Sequence, residues 1–99
     1  MYIHRDIKPE NILIKGTNVI LSDFGCCSTF DNAQARSCGT LEYAAPEVIS
    51  GSSKIGPQVD MWSLGVLLYE LFARCSPFRG QSEKQTANNI LSCVISAFP

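Results

Sequence analysis

A chain of 99 residues has room for one small domain or part of a larger one, and buries only about 60–65% of its unfolded surface. Hydrophobic residues at 45% against 17% charged place it among globular segments rather than disordered ones. Eight Lys and Arg against nine Asp and Glu leave a net charge of −1, which gives neither nucleic acid nor an anionic membrane surface an electrostatic handle. The longest apolar stretch, from Leu64 to Phe72, is too short and too interrupted to span a bilayer, and no secretory signal is expected. Five cysteines, an odd number without paired C-x-x-C spacing, argue for reduced thiols in a cytoplasmic or nuclear protein rather than a disulfide framework or structural zinc. The one histidine, His4, cannot build a metal site by itself.

The first local signal is a pair of β-branched runs, Ile12-Leu13-Ile14 and Val19-Ile20-Leu21. The four residues between them, Lys15 to Asn18, include a glycine, so the pattern predicts a β-hairpin. From Ser22 to Thr40 the composition turns to Ser, Gly, Asp, Asn and Cys without helical or strand period. A structureless stretch of that length inside a small domain is usually functional. Pro46 opens a short helical turn through Ile49, and a loop from Ser50 to Gln58 follows. Asp60 is the predicted N-cap of a helix from Met61 to Ala73. That helix is apolar nearly all the way round, a pattern that calls for burial on every side. Pro77 and Gly80 then break the chain. Ser82 with Gln85 forms a capping box, and Ala87, Ile90, Leu91 and Val94 fall on one face of an amphipathic helix.

Chemistry concentrates at the hairpin. Asn11 immediately precedes its first strand and Asp23 follows its second. Antiparallel strands lie about 4.8 Å apart, so both oxygen-bearing side chains are expected at the same end. Hard cations such as Mg²⁺ bind through one or two such oxygens together with phosphates. Asp6 lies just upstream of Asn11, within reach of a substrate hydroxyl.

His4-Arg5-Asp6-Ile7-Lys8-Pro9-Glu10-Asn11 and Asp23-Phe24-Gly25 are followed by Gly39-Thr40-Leu41-Glu42-Tyr43, Ala45-Pro46-Glu47 and Asp60-Met61-Trp62-Ser63-Leu64-Gly65. In that order, over nearly the whole chain, they resemble the catalytic half of a eukaryotic protein kinase. The resemblance implies a mainly α architecture, the large lobe of the α+β kinase fold. Its parts are a short hairpin, a long activation loop, a buried central helix and one amphipathic helix. Lys8-Pro9-Glu10-Asn11 resembles the serine/threonine form of the catalytic loop. Cys38-Gly39-Thr40-x-Glu42-Tyr43 resembles the AGC group. The run from Asp60 to Leu71 with Ser76-Pro77-Phe78 looks most like the N-terminal kinase domain of mitogen- and stress-activated kinases, with ribosomal-protein kinases nearly as close.

Roles follow from the resemblance. Asp6 would be the catalytic base, Lys8 would neutralise charge on the transferring phosphoryl group, and Thr40 would tether both. Asn11 and Asp23 would hold Mg²⁺ and, through it, ATP. Glu10 and Glu70 would recognise basic residues upstream of the acceptor in a protein substrate. Asp60 would hydrogen-bond the catalytic-loop backbone, and His4 and Phe24 would stack in the core. Arg36 stands where an activating Ser or Thr is usual, so Ser37 is the candidate target of an upstream activating kinase, with Arg5 as its phosphate partner.

These residues contain no G-x-G-x-x-G loop, no strand lysine in a V-A-I-K context and no partner glutamate for it. The family's arginine partner for Glu47 falls later than Pro99. Residues 1–99 are therefore expected to be a partial kinase domain, from the catalytic loop to the second large-lobe helix. Phosphoryl transfer depends on positioning and charge neutralisation, so these residues alone are not expected to sustain it. Two readings follow: part of an ATP-dependent serine/threonine kinase, or a non-catalytic kinase-derived module that binds partners.

Overall fold

The hairpin forms, and its turn is tighter than the sequence pattern suggested. In a computed structural model, which describes residues 2–22, 28–29, 40–51 and 55–95, strand β2 (Ile12–Lys15) pairs antiparallel with β3 (Asn18–Leu21). The register runs from Ile12↔Leu21 to Lys15↔Asn18, so Lys15 and Asn18 join the strands and only Gly16 and Thr17 turn. Gly16 has φ +62° while Thr17 is not among the positive-φ residues, as in the type II′ hairpin turn, which places glycine first and matches the strand twist. A Cβ at Gly16 would meet nothing within 4 Å, so its conformation, not its space, requires glycine. Pairing continues past the strands, where Ser22 N–H donates to Asn11 O at 2.8 Å. A second, two-residue pairing joins β1 (Tyr2–Ile3) to β4 (Ser28–Thr29).

Helix α1 (Pro46–Ile49) opens on proline, whose fixed φ and missing N–H suit a first helical turn. A 3₁₀ turn, Leu41–Tyr43, precedes it. Helix α2 covers Gln58–Ala73, starting before Met61, and Asp60 lies in its first turn rather than at its cap. The reason is that the Asp60 carboxylate is engaged elsewhere, by backbone N–H groups of the segment after β1.

The expectation that α2 is buried on every side is corrected. Val59, Ser63, Val66, Leu67 and Ala73 are buried, whereas Met61 is 67% and Phe72 77% exposed. Apolar residues occupy all faces of α2, but the described residues supply packing partners for only one of them.

Two core clusters meet at Trp62. Ile3, Ala45, Ile55 and Val59 form one, and Tyr43, Val66, Phe78 and Ile90 the other. Trp62 packs against both and stacks on Phe78 with ring centroids 5.5 Å apart.

Helix α3 (Glu83–Leu91) begins as its sequence predicts, with Ser82 Oγ accepting from Gln85 N–H at 3.1 Å. The Gln85 side chain, however, accepts from Gln81 N–H rather than returning to Ser82. The buried face matches the expected one at Ile90 but not at Leu91 and Val94. Thr86 and Ile90 are buried, while Leu91 is largely exposed and Val94 lies beyond the helix, exposed. Thr86 Oγ1 accepts from Gly80 N–H at 2.9 Å and Asn89 Nδ2 donates to Phe78 O at 3.0 Å, so polar bonds to the preceding bend select the face that turns inward. Among the described residues no helix is long and apolar enough to cross a membrane.

Candidate active site

The site is built on the bend between β1 and β2. Arg5 adopts φ 71°, a left-handed conformation unfavourable for a non-glycine residue. Asp60, from the first turn of α2, holds the bend: its Oδ2 accepts His4 N–H at 2.7 Å and its Oδ1 accepts Arg5 N–H at 2.9 Å. The His4 ring is buried beneath it. Asp6 N–H donates to His4 Nδ1 at 3.1 Å, so the ring carries its proton on Nε2, which donates to Ser22 O at 3.0 Å. His4 thus ties the bend to the open end of the hairpin, which suits a structural role.

Asp6 is the hub of the polar groups. Its Oδ1 accepts from Thr40 Oγ1 at 3.2 Å and lies 3.6 Å from Lys8 Nζ, while Lys8 Nζ donates to Thr40 Oγ1 at 2.8 Å. Thr40 arrives from the start of the 3₁₀ turn, more than thirty residues away, and its single hydroxyl serves both charged groups. Asn11 is buried in the turn leading into β2. Its Nδ2 donates to Asp6 O at 2.7 Å and to Asp6 Oδ2 at 3.2 Å. With the NH₂ committed to Asp6, the Asn11 carbonyl oxygen is directed away from that contact. A hard oxygen of this kind fits a Mg²⁺ that takes its other ligands from phosphate and a second protein oxygen. Asp23, the expected second oxygen, lies outside the described residues, as do Phe24, Arg36 and Ser37.

Glu10 and Glu70 sit differently. Glu10 is exposed in the Pro9–Asn11 turn. Glu70 is half-buried on α2, and its Oε1 accepts the Tyr43 hydroxyl at 2.7 Å. Burial, the hydrogen bond to Glu70 and the fields of Glu70, Glu10 and Glu42 all oppose ionisation of Tyr43, whose pKa stands well above the usual tyrosine value. Glu42, in the 3₁₀ turn, pairs with Arg79 at 2.9 Å, a contact that raises the guanidinium's pKa.

Sequence reasoning singled out Asp6, Lys8, Asn11 and Thr40, which the structure brings together. It did not find the Tyr43–Glu70 bond, the Glu42–Arg79 pair or the use of Asn11 as a donor to Asp6. The first two join residues 27 and 37 positions apart, and no periodicity in the sequence reports such contacts.

Residues 1–98 match the family model of the protein kinase domain. A carbon catabolite-derepressing protein kinase of Saccharomyces cerevisiae is 47% identical over 95 residues, which cover 93% of this chain and 15% of the relative. Its counterpart in Secale cereale is 49% identical over 79 residues, 77% of this chain and 16% of the relative. A serine/threonine protein kinase of Oryza sativa subsp. japonica, OSK3, is 49% identical over 81 residues, 79% of this chain and 16% of the relative. The chain thus spans 15 to 16% of the length of these relatives. The names of the Saccharomyces and Secale relatives point to the carbon catabolite-derepressing type, not to the AGC group that the motif resemblance suggested. Both the family match and these relatives lead to one conclusion: the chain belongs to the protein kinase family.

Proposed function

We propose that the chain supplies the catalytic loop and part of the large lobe of an ATP-dependent serine/threonine kinase acting on protein hydroxyls. The observation that carries this reading is the joint anchoring of Asp6, Lys8 and Asn11 around one carboxylate, with Thr40 as the tether. In this reading an acceptor hydroxyl would approach Asp6 and pass its proton to the carboxylate as its oxygen bonds the γ-phosphorus of ATP and the bond from that phosphorus to the leaving ADP oxygen breaks. Thr40 and Asn11 fix the orientation of that carboxylate before substrate arrives, so little reorganisation is needed. Lys8 holds a positive charge beside the phosphoryl group in transit. Asn11 and Asp23 would hold Mg²⁺, which when bound offsets the charge of the ATP phosphates.

The finer features belong to the same proposal. The narrower subgroup follows the relatives, so we place the chain with carbon catabolite-derepressing kinases rather than the AGC group. Glu10 and Glu70 would receive basic residues upstream of the acceptor. Ser37 would be phosphorylated by an upstream kinase and paired with Arg5. A reducing compartment, cytoplasm or nucleus, suits the free thiols of Cys75 and Cys93.

The test is Asp6→Asn in the full-length protein that carries this chain. Phosphate transfer from labelled ATP to a serine peptide should fall by about 10²–10⁴-fold while the unfolding midpoint barely moves. Unaltered transfer would remove Asp6 from the reaction. A wild-type protein that transfers nothing yet retains a binding partner would favour the non-catalytic module.

A further inference from the structure

Arg79 stands on the bend between α2 and α3, and its Nε donates to Glu42 Oε1 at 2.9 Å. The Arg79 side chain is 63% exposed and that of Glu42 27%, so the pair sits at a rim and not in the core. It flanks a cleft lined by Thr40, Leu41, Glu42, Arg79, Gly80 and Thr86 among others. Thr40, whose hydroxyl bonds Asp6 and Lys8, and both members of the ion pair line this one cleft. In the kinase reading, a peptide whose hydroxyl rests at Asp6 has Glu42 and Arg79 within the neighbouring cleft that Thr40 also lines.

Glu42 does not act alone. Glu10, Glu42 and Glu70 all bear on the Tyr43 hydroxyl, and Glu70 also bears on Arg79. Such a surface attracts cationic side chains. Yet one Glu70 oxygen already holds Tyr43, and one Glu42 oxygen already holds a guanidinium from the chain itself. Bidentate capture of a second guanidinium by Glu42 uses both of its oxygens, so Arg79 competes with it for Oε1.

We propose that Arg79 is a specificity-determining residue, which occupies Glu42 from within the chain and denies that carboxylate to a basic side chain of the peptide substrate. The proposal rests on the kinase reading, which assigns the cleft to substrate. Exposed ion pairs are weak and screened by salt, so the occupation is competitive. A basic residue over Glu42 then gains less affinity than the local charge suggests, and selection at that position shifts toward neutral residues.

Equilibrium binding tests this without nucleotide. Two serine peptides, identical except for arginine or alanine at the positions upstream of the acceptor, are titrated at low salt by fluorescence anisotropy into the full-length protein. Arg79→Ala should tighten the arginine peptide about two- to fivefold and leave the alanine peptide unchanged, and Glu42→Gln added to Arg79→Ala should cancel the gain. Equal affinities of wild type and Arg79→Ala for the arginine peptide would overturn the proposal, as would equal tightening of both peptides. Arg79 is mostly exposed, and matched thermal melts of each variant check that the fold is kept. Because no phosphoryl transfer enters this measurement, its failure is distinct from failure of the kinase reading, which the Asp6→Asn assay decides.

Discussion

Arg5 keeps a left-handed backbone, φ 71°, under a hydrogen bond from its N–H to Asp60 Oδ1 at 2.9 Å, between residues 55 positions apart. The second Asp60 oxygen takes the neighbouring His4 N–H. Two donors thus face two acceptors. Asp60→Asn replaces one acceptor with an NH₂ group aimed at an N–H. The expected cost is about 1–3 kcal/mol in urea unfolding, with a loss of phosphoryl transfer that exceeds what the stability change explains. A variant with wild-type stability and transfer would show that the bend holds itself.

Thr40 serves Lys8 and Asp6 through one oxygen, at 2.8 and 3.2 Å. Thr40→Ser keeps that oxygen and should retain transfer within a few-fold. Thr40→Ala removes it, leaves Asp6 and Lys8 free to close on each other, and should lower kcat by about 10–100-fold, the scale of a small misplacement of a catalytic group. The alanine and serine variants should differ mainly in kcat, with KM for peptide little changed. Equal rates for the two would rule out the tether.

Tyr43 makes stability depend on pH at the alkaline end. Its hydroxyl ionises well above the usual tyrosine value, so the folded chain keeps this proton after the unfolded chain has lost it. The unfolded state then binds fewer protons, and stability falls with rising pH. The Tyr43 contribution is complete below about pH 10 and is lost as pH climbs from there toward the folded value. Tyr43→Phe should cost about 1.5–3 kcal/mol at pH 7, because the lost bond goes to a charged group, and should flatten the alkaline slope. Urea midpoints for both proteins between pH 7 and 11 would show parallel curves if the reasoning is wrong.

Cys93 ends α3 with φ 53°, where its N–H donates to Ile90 O at 3.2 Å and Val94 N–H to Asn89 O at 2.8 Å. That pair of bonds is the Schellman arrangement, which favours glycine at the left-handed position. Cys93→Gly should therefore stabilise the chain by about 1 kcal/mol and raise the melting temperature. A lower melting temperature would mean that thiol packing outweighs the backbone strain.

The amino-acid sequence on its own determined what depends on near neighbours. The β-branched runs and Gly16 specify a hairpin, Pro46 starts a helical turn, and Ser82 caps α3, since each signal acts within a few residues. Motif order likewise marked Asp6, Lys8, Asn11 and Thr40, because the chemistry demands those side chains at those spacings. Tertiary structure alone decided the contacts between distant segments. It fixed that Asp60, whose bond to the catalytic-loop backbone the resemblance had implied, reaches His4 and Arg5 N–H instead of capping its own helix, and it buried one face of an evenly apolar α2. It also turned Thr86 of α3 inward beside the expected Ile90 while leaving Leu91 and Val94 exposed, and set Tyr43 on Glu70 and Arg79 on Glu42. A hydrogen bond or an ion pair is chosen by whichever partner folding brings near, and spacing along the chain carries no record of that partner.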